Sequence, residues 1–224
     1  YQHLYERVDE ICGKAFELGI SIYIDAEESW IQDPIDELVM QMMEKYNKEK
    51  ATVFNTYQLY NVLKLEHLKR DHQRCLEKNV YFGSKMVRGA CMDKERLRAS
   101  EMGYPSPIQP DKQSADNDYN TALKIALDNV DNVAFCCATH NEQSTLNLVE
   151  WMNEKNIPVN HPHIWFSQLY GMSDHISFNL ASKGYNVCKY VPYGPVNSVL
   201  PYLIRRAQEN TSVKGQTGRE LSLI

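Results

Sequence analysis

The sequence predicts an α/β protein of the (β/α)8, or TIM-type, barrel class that is incomplete at its N-terminus. Helices and strands alternate along the chain, each predicted strand ends in polar residues, and the first helix has no strand before it. Alternation of this kind is typical of a parallel sheet covered by helices. An open doubly wound sheet uses mainly the strand ends beside its switch point, so polar residues at all six strand ends favour a closed barrel. We therefore expect about two more strands ahead of this chain.

The elements follow from hydrophobic periodicity, taken in chain order. Residues 3–18 place apolar side chains on one helical face, and Gly19 is expected to end that helix. Six strand–helix pairs follow, and Pro34 suits the first turn of the helix after the first strand. Strands are predicted at 20–25, 51–56, 132–139 and 163–168, and one strand each within 81–90 and 185–194. The predicted helices are 34–48, 58–78, 114–130, 142–155, 172–183 and 196–210. The polar, proline-containing segment 91–113 is predicted to be a long loop, which in a compact domain is often functional.

Composition narrows the class of protein. The 224 residues are 43% hydrophobic and 24% charged, enough for one core, and we expect a single domain over residues 1–224. A net charge of -5 argues against a general nucleic-acid binder. No apolar run is long enough to span a bilayer, and no secretory signal opens the chain. The six cysteines are therefore expected to be reduced thiols rather than disulfides.

Two strand ends carry charged side chains. Asp25 ends the strand in "IYIDAEESW", where it could lie at the barrel mouth or cap the next helix. In "KMVRGA", Lys85 and Arg88 surround a strand end that runs into Gly89. A glycine lets the backbone approach a phosphate or a flavin edge closely, although a simple turn with solvated cations is the alternative.

A third strand end is rich in hydrogen-bonding groups. "ATHNE" places Thr139, His140 and Asn141 between an apolar strand and a helix. These side chains could bind phosphate or ribose, or they could cap the helix. His161 and His163 precede a strand, on the face opposite a barrel site, and are expected to be structural or exposed.

The end of the chain combines aromatic rings with two adjacent arginines. Tyr190 and Tyr202 flank the last strand and helix, and Arg205 and Arg206 follow in "YLIRRAQEN". Two adjacent arginines ordinarily form a solvent-exposed basic patch, but at a barrel mouth they could bind a carboxylate in bidentate fashion. Aromatic walls with a cationic end would suit a small, partly apolar carboxylic acid.

Six motifs in order resemble the FAD-dependent proline dehydrogenase family: "DAEESW", "KMVRGAC", "ATHNE", "QLYGM", "KYVPYG" and "YLIRRAQEN". They extend over almost the whole chain. The resemblance implies a (β/α)8 barrel that holds FAD at the carboxyl ends of its strands. It also implies oxidation of L-proline to 1-pyrroline-5-carboxylate, with electrons passed to a quinone and with peripheral membrane association. The implied location is the cytoplasm or its membrane in a bacterium, and the mitochondrion in a eukaryote.

The resemblance also assigns roles to residues. Asp25 matches an active-site aspartate, Lys85 a basic residue near the flavin N5, and Arg205 and Arg206 the pair that binds the proline carboxylate. The walls of the substrate pocket match Leu169, Tyr190 and Tyr202. The implied contacts to FAD are Gln58, Lys85, Arg88, Gly89, Ala90, Thr139, His140 and Asn141.

The sequence departs from the family pattern in two places. Cys91 stands where the family usually has tyrosine, which removes an aromatic wall, and a lysine of an early strand is expected in the preceding strands. Hydroxyproline dehydrogenase is the first alternative, against which Tyr190 argues because those relatives tend to carry a smaller residue there. A cofactor-free lyase or aldolase would need Lys85 as a Schiff-base lysine. A non-catalytic fragment or binding module is the third alternative.

Overall fold

The computed structural model describes residues 1–212, with side chains through residue 204. Within this range the predicted alternation of helices and strands is confirmed. The strands are β1 (Ile22–Ile24), β2 (Val53–Gln58), β3 (Phe82–Val87), β4 (Val133–Ala138), β5 (Ile164–Leu169) and β6 (Val187–Tyr190). The helices are α1 (Gln2–Leu18), α2 (Ser29–Tyr46), α3 (Lys64–Lys78), α4 (Met92–Met102), α5 (Lys112–Asp128), α6 (Glu142–Glu154), α7 (Asp174–Ser182) and α8 (Val196–Ser212).

The six strands form one parallel sheet in sequential order, from β1 at one edge to β6 at the other. The order never reverses across the described residues, so the sheet lacks the switch point that a doubly wound fold requires. The sheet curls into half a barrel with the helices on its convex side. Its register aligns Thr56, Lys85 and Cys136 across three neighbouring strands.

Alternate side chains of each strand point to opposite faces of this sheet. The convex face carries the main core, in which buried aromatic residues pack against the helices: Tyr57, Phe82, Phe135 and Phe166. The concave face carries a smaller cluster in which Phe54 and Ala134 are buried beside Tyr23. Most buried apolar side chains of the helices belong to the main core on the convex face, so the concave face of the described residues remains available for a ligand.

The second helix starts earlier than predicted. α2 begins at Ser29, so Pro34 lies inside the helix and not in its first turn. The early start is stabilised from outside the helix, because the carboxylate of Glu95 accepts hydrogen bonds from the backbone N–H and the hydroxyl of Ser29, both 2.6 Å long. A contact over 66 positions of sequence leaves no local pattern from which the helix start could be read.

The prediction of a loop over residues 91–113 is wrong for the first half of that segment, which forms α4. Cys91 precedes the first turn, Asp93 and Glu95 lie in that turn, and Gly103 ends the helix with a left-handed φ of 73°. The second half of the segment is a true connection, and the backbone N–H of Val62 donates to the carbonyl of Pro107. The helix is polar on most sides, so it lacks the apolar stripe on which the prediction depended.

The third helix is shorter than predicted. α3 begins at Lys64 because β2 extends to Gln58 and the next two residues still pair with the third strand end. The N–H groups of Leu59 and Tyr60 donate to the carbonyls of Val87 and Arg88.

Asn47 connects three segments at the opposite end of the sheet. Its fully buried carboxamide donates to the carbonyls of Val53 and Tyr81 and accepts from the N–H groups of Thr52 and Val53. The side chain therefore fixes the end of α2 relative to the starts of β2 and β3.

All six cysteines are free thiols, as predicted. Across residues 1–212, none of the helices combines the length and the apolar character needed to cross a bilayer.

Candidate functional site

The carboxyl ends of the strands bring an ion pair and two aromatic rings together on the concave face. The Lys85 ammonium donates to the carboxylate of Asp25, which extends from the end of β1. Its Nζ atom lies 6.0 Å from the centroid of the Tyr23 ring and 5.9 Å from that of Tyr190. The Asp25 side chain is 52% exposed and that of Lys85 only 18%. The site therefore presents an accessible carboxylate in front of a partly buried cation.

Asp25 does not cap α2. The residue that precedes that helix is Glu28, and the Asp25 carboxylate is held by Lys85 and by the hydroxyl of Thr56, 3.4 Å away. The alternative in which Asp25 is a helix cap is therefore wrong. The position of Pro34 does not exclude it, because α2 begins before that proline.

An aromatic wall forms beside this ion pair. Leu169 and Tyr190 are paired in register at the ends of β5 and β6, on the same concave face. The Tyr190 ring lies 5.7 Å from the ring of Tyr202, centroid to centroid, which brings the start of α8 to the mouth of the half-barrel. The side chains of Arg205 and Arg206 lie outside the described residues, so their assignment stays a prediction.

Arg88 is the centre of a hydrogen-bond network that joins β3 to α5 and α6. Its guanidinium donates to Asp116 Oδ1 (2.6 Å), Thr139 Oγ1 (2.7 Å) and Ser144 Oγ (2.9 Å), and it stacks 4.3 Å from the centroid of the Tyr119 ring. Burial acts to raise the pKa of Asp116, but hydrogen bonds from Lys112 and Arg88 outweigh it and hold that pKa below its usual value. Arg88 is thus fixed in place by the protein itself.

Gly89 and Ala90 present exposed backbone directly after this arginine. Gly89 has φ of 127°, and a Cβ atom at this position would lie 2.5 Å from the ring of Tyr60. Both the conformation and the contact with Tyr60 require glycine at this position.

The three polar residues after β4 have different surroundings. Thr139 is nearly buried and accepts from Arg88, while Asn141 caps α6 by accepting from the N–H of Ser144 at 2.9 Å. His140 Nδ1 lies 2.9 Å from the hydroxyl of Ser173, a residue with a left-handed φ of 51°. The helix-cap alternative holds for the side-chain oxygen of Asn141, whereas Thr139 and His140 face neighbouring strand ends.

Gln58 lies under the loop between β1 and α2. Its amide donates to the carbonyl of Glu27 at 2.7 Å, and its side chain is largely buried. The glutamine therefore supports the loop that carries Asp25.

Sequence reasoning missed the contacts between α4 and the start of α2. Besides the hydrogen bonds of Glu95, Lys94 pairs with Glu28, and the guanidinium of Arg98 stacks 4.4 Å from the Trp30 ring. The available signal was a run of helix-forming residues that begins with Asp93 and Glu95 and ends at Gly103.

The two histidines before β5 are structural, as predicted. His163 Nδ1 lies 2.6 Å from the carbonyl of Val130, and its ring packs edge-on against those of Tyr81 and His161. Burial, followed by the neighbouring His163, lowers the pKa of His161. Both lie at the amino ends of the strands, away from the ion pair.

A sequence model described as proline dehydrogenase matches residues 2–219. The chain belongs to the proline dehydrogenase family. The family resemblance inferred from the six motifs is thereby confirmed. Mitochondrial proline dehydrogenase 1 of Drosophila melanogaster is 38% identical over 234 residues, which cover 100% of this chain and 34% of that protein. Hydroxyproline dehydrogenase of Xenopus laevis is 38% identical over 222 residues, 97% of this chain and 48% of that protein.

The fold is shared with a solved proline utilization A protein. The crystal structure of PutA from Bdellovibrio bacteriovorus, inactivated by N-propargylglycine, superimposes with a TM-score of 0.88 at 25% identity. The match covers 95% of this chain and 22% of the PutA chain. This proline dehydrogenase family chain therefore spans about a third of the Drosophila relative and about a fifth of PutA.

Proposed function

We propose that the full-length protein oxidises L-proline to 1-pyrroline-5-carboxylate, with FAD as cofactor and a quinone as electron acceptor. The observation that supports this function best is the Asp25–Lys85 pair between the rings of Tyr23 and Tyr190. In a chain of the proline dehydrogenase family, this pair lies at the carboxyl ends of parallel strands, where barrel enzymes bind their ligands.

The lining of the concave face supports the proposal of a flavin site. Val87, Ala138 and Leu169 offer small and aliphatic surface for an apolar ring system, and the exposed backbone of Gly89 and Ala90 can donate to anionic groups. When bound, FAD supplies the acceptor for the hydride that leaves C5 of proline. We assign its contacts to Gln58, Lys85, Arg88, Gly89, Ala90, Thr139, His140 and Asn141.

Arg88, Thr139 and Asn141 already have internal partners in this arrangement. In our proposal these hydrogen bonds fix the ends of β3 and β4, so that the same three residues contact the cofactor without rearrangement. Preorganisation of this kind avoids reorganisation cost when the ligand binds.

The substrate would lie between the aromatic wall and the ion pair. We assign the proline carboxylate to Arg205 and Arg206, and the walls to Leu169, Tyr190 and Tyr202. The position of Tyr202 against Tyr190 supports this, because it brings α8 to the mouth. Hydride loss from C5 requires the neutral amine, and that amine would lie beside the Asp25–Lys85 pair.

The direct test uses the purified full-length protein. We expect a flavin absorbance spectrum that is bleached on anaerobic addition of L-proline, with formation of pyrroline carboxylate. A protein without flavin that cleaves or condenses a carbonyl substrate would support the aldolase alternative instead. That alternative is disfavoured because Lys85 is held in an ion pair and is not presented as a free amine.

The arginine pair can be tested with a substrate that lacks the carboxylate. Arg205→Ala or Arg206→Ala should raise the KM for proline about ten- to a hundredfold, since a charge-assisted hydrogen bond contributes about 1.5–3 kcal/mol. Pyrrolidine oxidation should change little, and lysine should rescue only partly because an ammonium lacks the planar fork. An equal loss for both substrates would assign the arginines to the fold or to FAD.

Hydroxyproline is the second candidate substrate, because a hydroxyproline dehydrogenase is as similar in sequence as the Drosophila proline dehydrogenase. Tyr190 favours proline, since its ring against Tyr202 narrows the wall where a ring hydroxyl would need space. We expect kcat/KM to be higher for proline than for 4-hydroxyproline, and the ratio to fall in Tyr190→Ser. A wild-type preference for hydroxyproline would reverse the assignment.

The proposal extends to the architecture and location of the whole protein. We propose a closed (β/α)8 barrel in which this chain, as one domain, is preceded by about two strands. A quinone acceptor implies peripheral contact with a membrane, in a bacterial cell or, for a eukaryote, in the mitochondrion, as the name of the Drosophila relative indicates. We propose no nucleic-acid partner.

A further inference from the structure

A buried ion pair lies between α2, α3 and β2, close to the loop that carries Asp25. Asp36 on α2 and Lys64 at the start of α3 are each 4% exposed, and the ammonium lies 2.5 Å from Asp36 Oδ2. The other carboxylate oxygen, Oδ1, accepts hydrogen bonds from two buried amides, Gln32 Nε2 at 2.8 Å and Asn55 Nδ2 at 3.0 Å. Donors from α2, β2 and α3 therefore converge on a single carboxylate.

Both amides continue from this carboxylate toward the loop between β1 and α2. The side-chain oxygen of Gln32 accepts from the backbone N–H of Glu27 at 2.7 Å. The side-chain oxygen of Asn55 accepts from the backbone N–H of Thr56 at 2.9 Å, and the Thr56 hydroxyl donates to Asp25. One chain of hydrogen bonds thus ends at Asp25 itself, and the other ends two residues after it.

We propose that Asp36 is a positioning residue for the reaction, because its carboxylate fixes the orientation of the two amides that hold the Asp25 loop. An ionised carboxylate only accepts hydrogen bonds, so both amide nitrogens must face it. The amide oxygens then face the backbone N–H groups of Glu27 and Thr56. An amide turned the other way would present its NH2 group to a backbone N–H, and two donors cannot bond to each other.

Lys64 supplies the countercharge for this buried carboxylate. A buried carboxylate without a cation is costly, and the ammonium binds the oxygen that the amides leave free. A buried ion pair is often no more stabilising than a well-packed apolar pair of similar volume. An apolar pair, however, could not orient Gln32 and Asn55. The geometry therefore assigns the ion pair to the placement of the loop and not to stability alone.

The placement of the loop matters because the Asp25 carboxylate faces Lys85. This inference rests on the proposed function, in which Lys85 approaches the flavin and the substrate amine lies beside the ion pair. A displaced Glu27 peptide would move Asp25 relative to both. The proposed ligands of the substrate carboxylate, Arg205 and Arg206, belong to α8, a different element. Displacement of the loop should therefore slow the chemical step more than it weakens substrate binding.

Two variants of the full-length protein test this role. In Asp36→Asn, one carboxamide oxygen has too few lone pairs for all the donors that meet the carboxylate, and its NH2 group faces at least one of them. Gln32→Met keeps the ion pair and removes only the acceptor for Glu27, so it remains informative if Asp36→Asn fails to fold. In both variants we expect kcat for L-proline to fall about ten- to a hundredfold while KM changes less than about twofold. An unchanged kcat would overturn the proposal.

Asp71 on α3 is the matched control. It is also a buried carboxylate, and it accepts hydrogen bonds from Tyr57 on β2 and from Arg70 on α3. Asp71→Asn should lower the urea midpoint of unfolding, as Asp36→Asn does, but leave kcat unchanged. If Asp71→Asn lowers kcat as much as Asp36→Asn, the effect is one of stability and the positioning role is refuted.

Hydrogen exchange at the Glu27 amide measures the hold on the loop without any reaction. We expect faster exchange of this amide in Asp36→Asn and in Gln32→Met, and the wild-type rate in Asp71→Asn. A full-length protein that does not oxidise proline would refute the proposed function, whereas the exchange rate would still show whether Asp36 holds the loop. Unchanged exchange at Glu27 in both variants would overturn the inference.

Discussion

Gly89 shows how one residue can constrain a strand end. Its φ of 127° is costly for any side chain, at about 1–3 kcal/mol, and a Cβ atom would meet the Tyr60 ring at 2.5 Å. We expect Gly89→Ala to lower the free energy of unfolding by more than the strain alone, because the ring must also move. Urea unfolding of the full-length protein measures this change.

Gly103 is the matched control for this substitution. It also has a positive φ, 73°, but nothing lies within 4 Å of a Cβ atom built there. Gly103→Ala should therefore cost only the backbone strain, about 1–2 kcal/mol. Equal losses in the two variants would mean that the contact with Tyr60 adds nothing.

At the scale of elements, Glu95 links α4 to the first turn of α2. The side chain is 2% exposed, and both of its carboxylate oxygens accept from Ser29. Glu95→Ala should lower the free energy of unfolding by about 1–3 kcal/mol, since a buried backbone donor loses its partner. Hydrogen exchange should become faster in α4 and in the first turn of α2, and nowhere else.

Glu101 on the same helix is exposed and serves as the control. Glu101→Ala removes one carboxylate from α4 without touching α2, so it should change stability by less than about 0.5 kcal/mol. Faster exchange in α2 for this variant would show that any change in α4 is transmitted, and that the Glu95 bonds are not specific.

The helices and strands also show which parts of the fold are determined by local sequence. Buried strands such as "VAFCCA" and the helix ending at Gly19 were predictable, because burial and a left-handed terminal glycine leave local signals. The start of α2 was not predictable, because Glu95, 66 positions away, stabilises it. Helix α4 was missed because it lacks an apolar stripe, although its helix-forming residues and Gly103 gave a local signal.

Some residues of the candidate site could likewise be predicted from local sequence, and others could not. Asp25, Lys85 and Tyr190 could be inferred because each lies at or near the carboxyl end of a strand, and parallel strands bring those ends together. The internal partners of Arg88 on α5 and α6 could not be read from one sequence, since nothing local indicates which acidic residue it meets.

For the molecule as a whole, buried histidines set the response to acid. Burial is the main cause that lowers the pKa values of His67 and His72, and the His72 ring packs 5.7 Å from that of Phe82, centroid to centroid. The unfolded chain therefore binds more protons below its own histidine pKa of about 6.5. Stability should be complete above that pH, fall as the pH drops below it, and stop falling once the folded pKa values are passed.

Denaturation midpoints measured between pH 7 and pH 5 test this response. His72→Gln should flatten the pH dependence, because each histidine contributes at most about 1.4 kcal/mol per pH unit. His3, whose side chain is 96% exposed, is the control, and His3→Gln should leave the slope unchanged. His161 has a pKa lowered by burial as well, so a slope that survives removal of His67, His72 and His161 would place its origin elsewhere.

The burial of Asn47 bears on the chemical stability of the protein as well as on its fold. Its amide nitrogen donates to two carbonyl oxygens within the buried junction of α2, β2 and β3. Slow hydrolysis of that amide, the usual ageing reaction of asparagine, would replace the donor with a negatively charged oxygen facing those same carbonyls. The burial that surrounds these four hydrogen bonds also keeps water away from the side chain. The junction is therefore protected from ageing by the same packing that it secures.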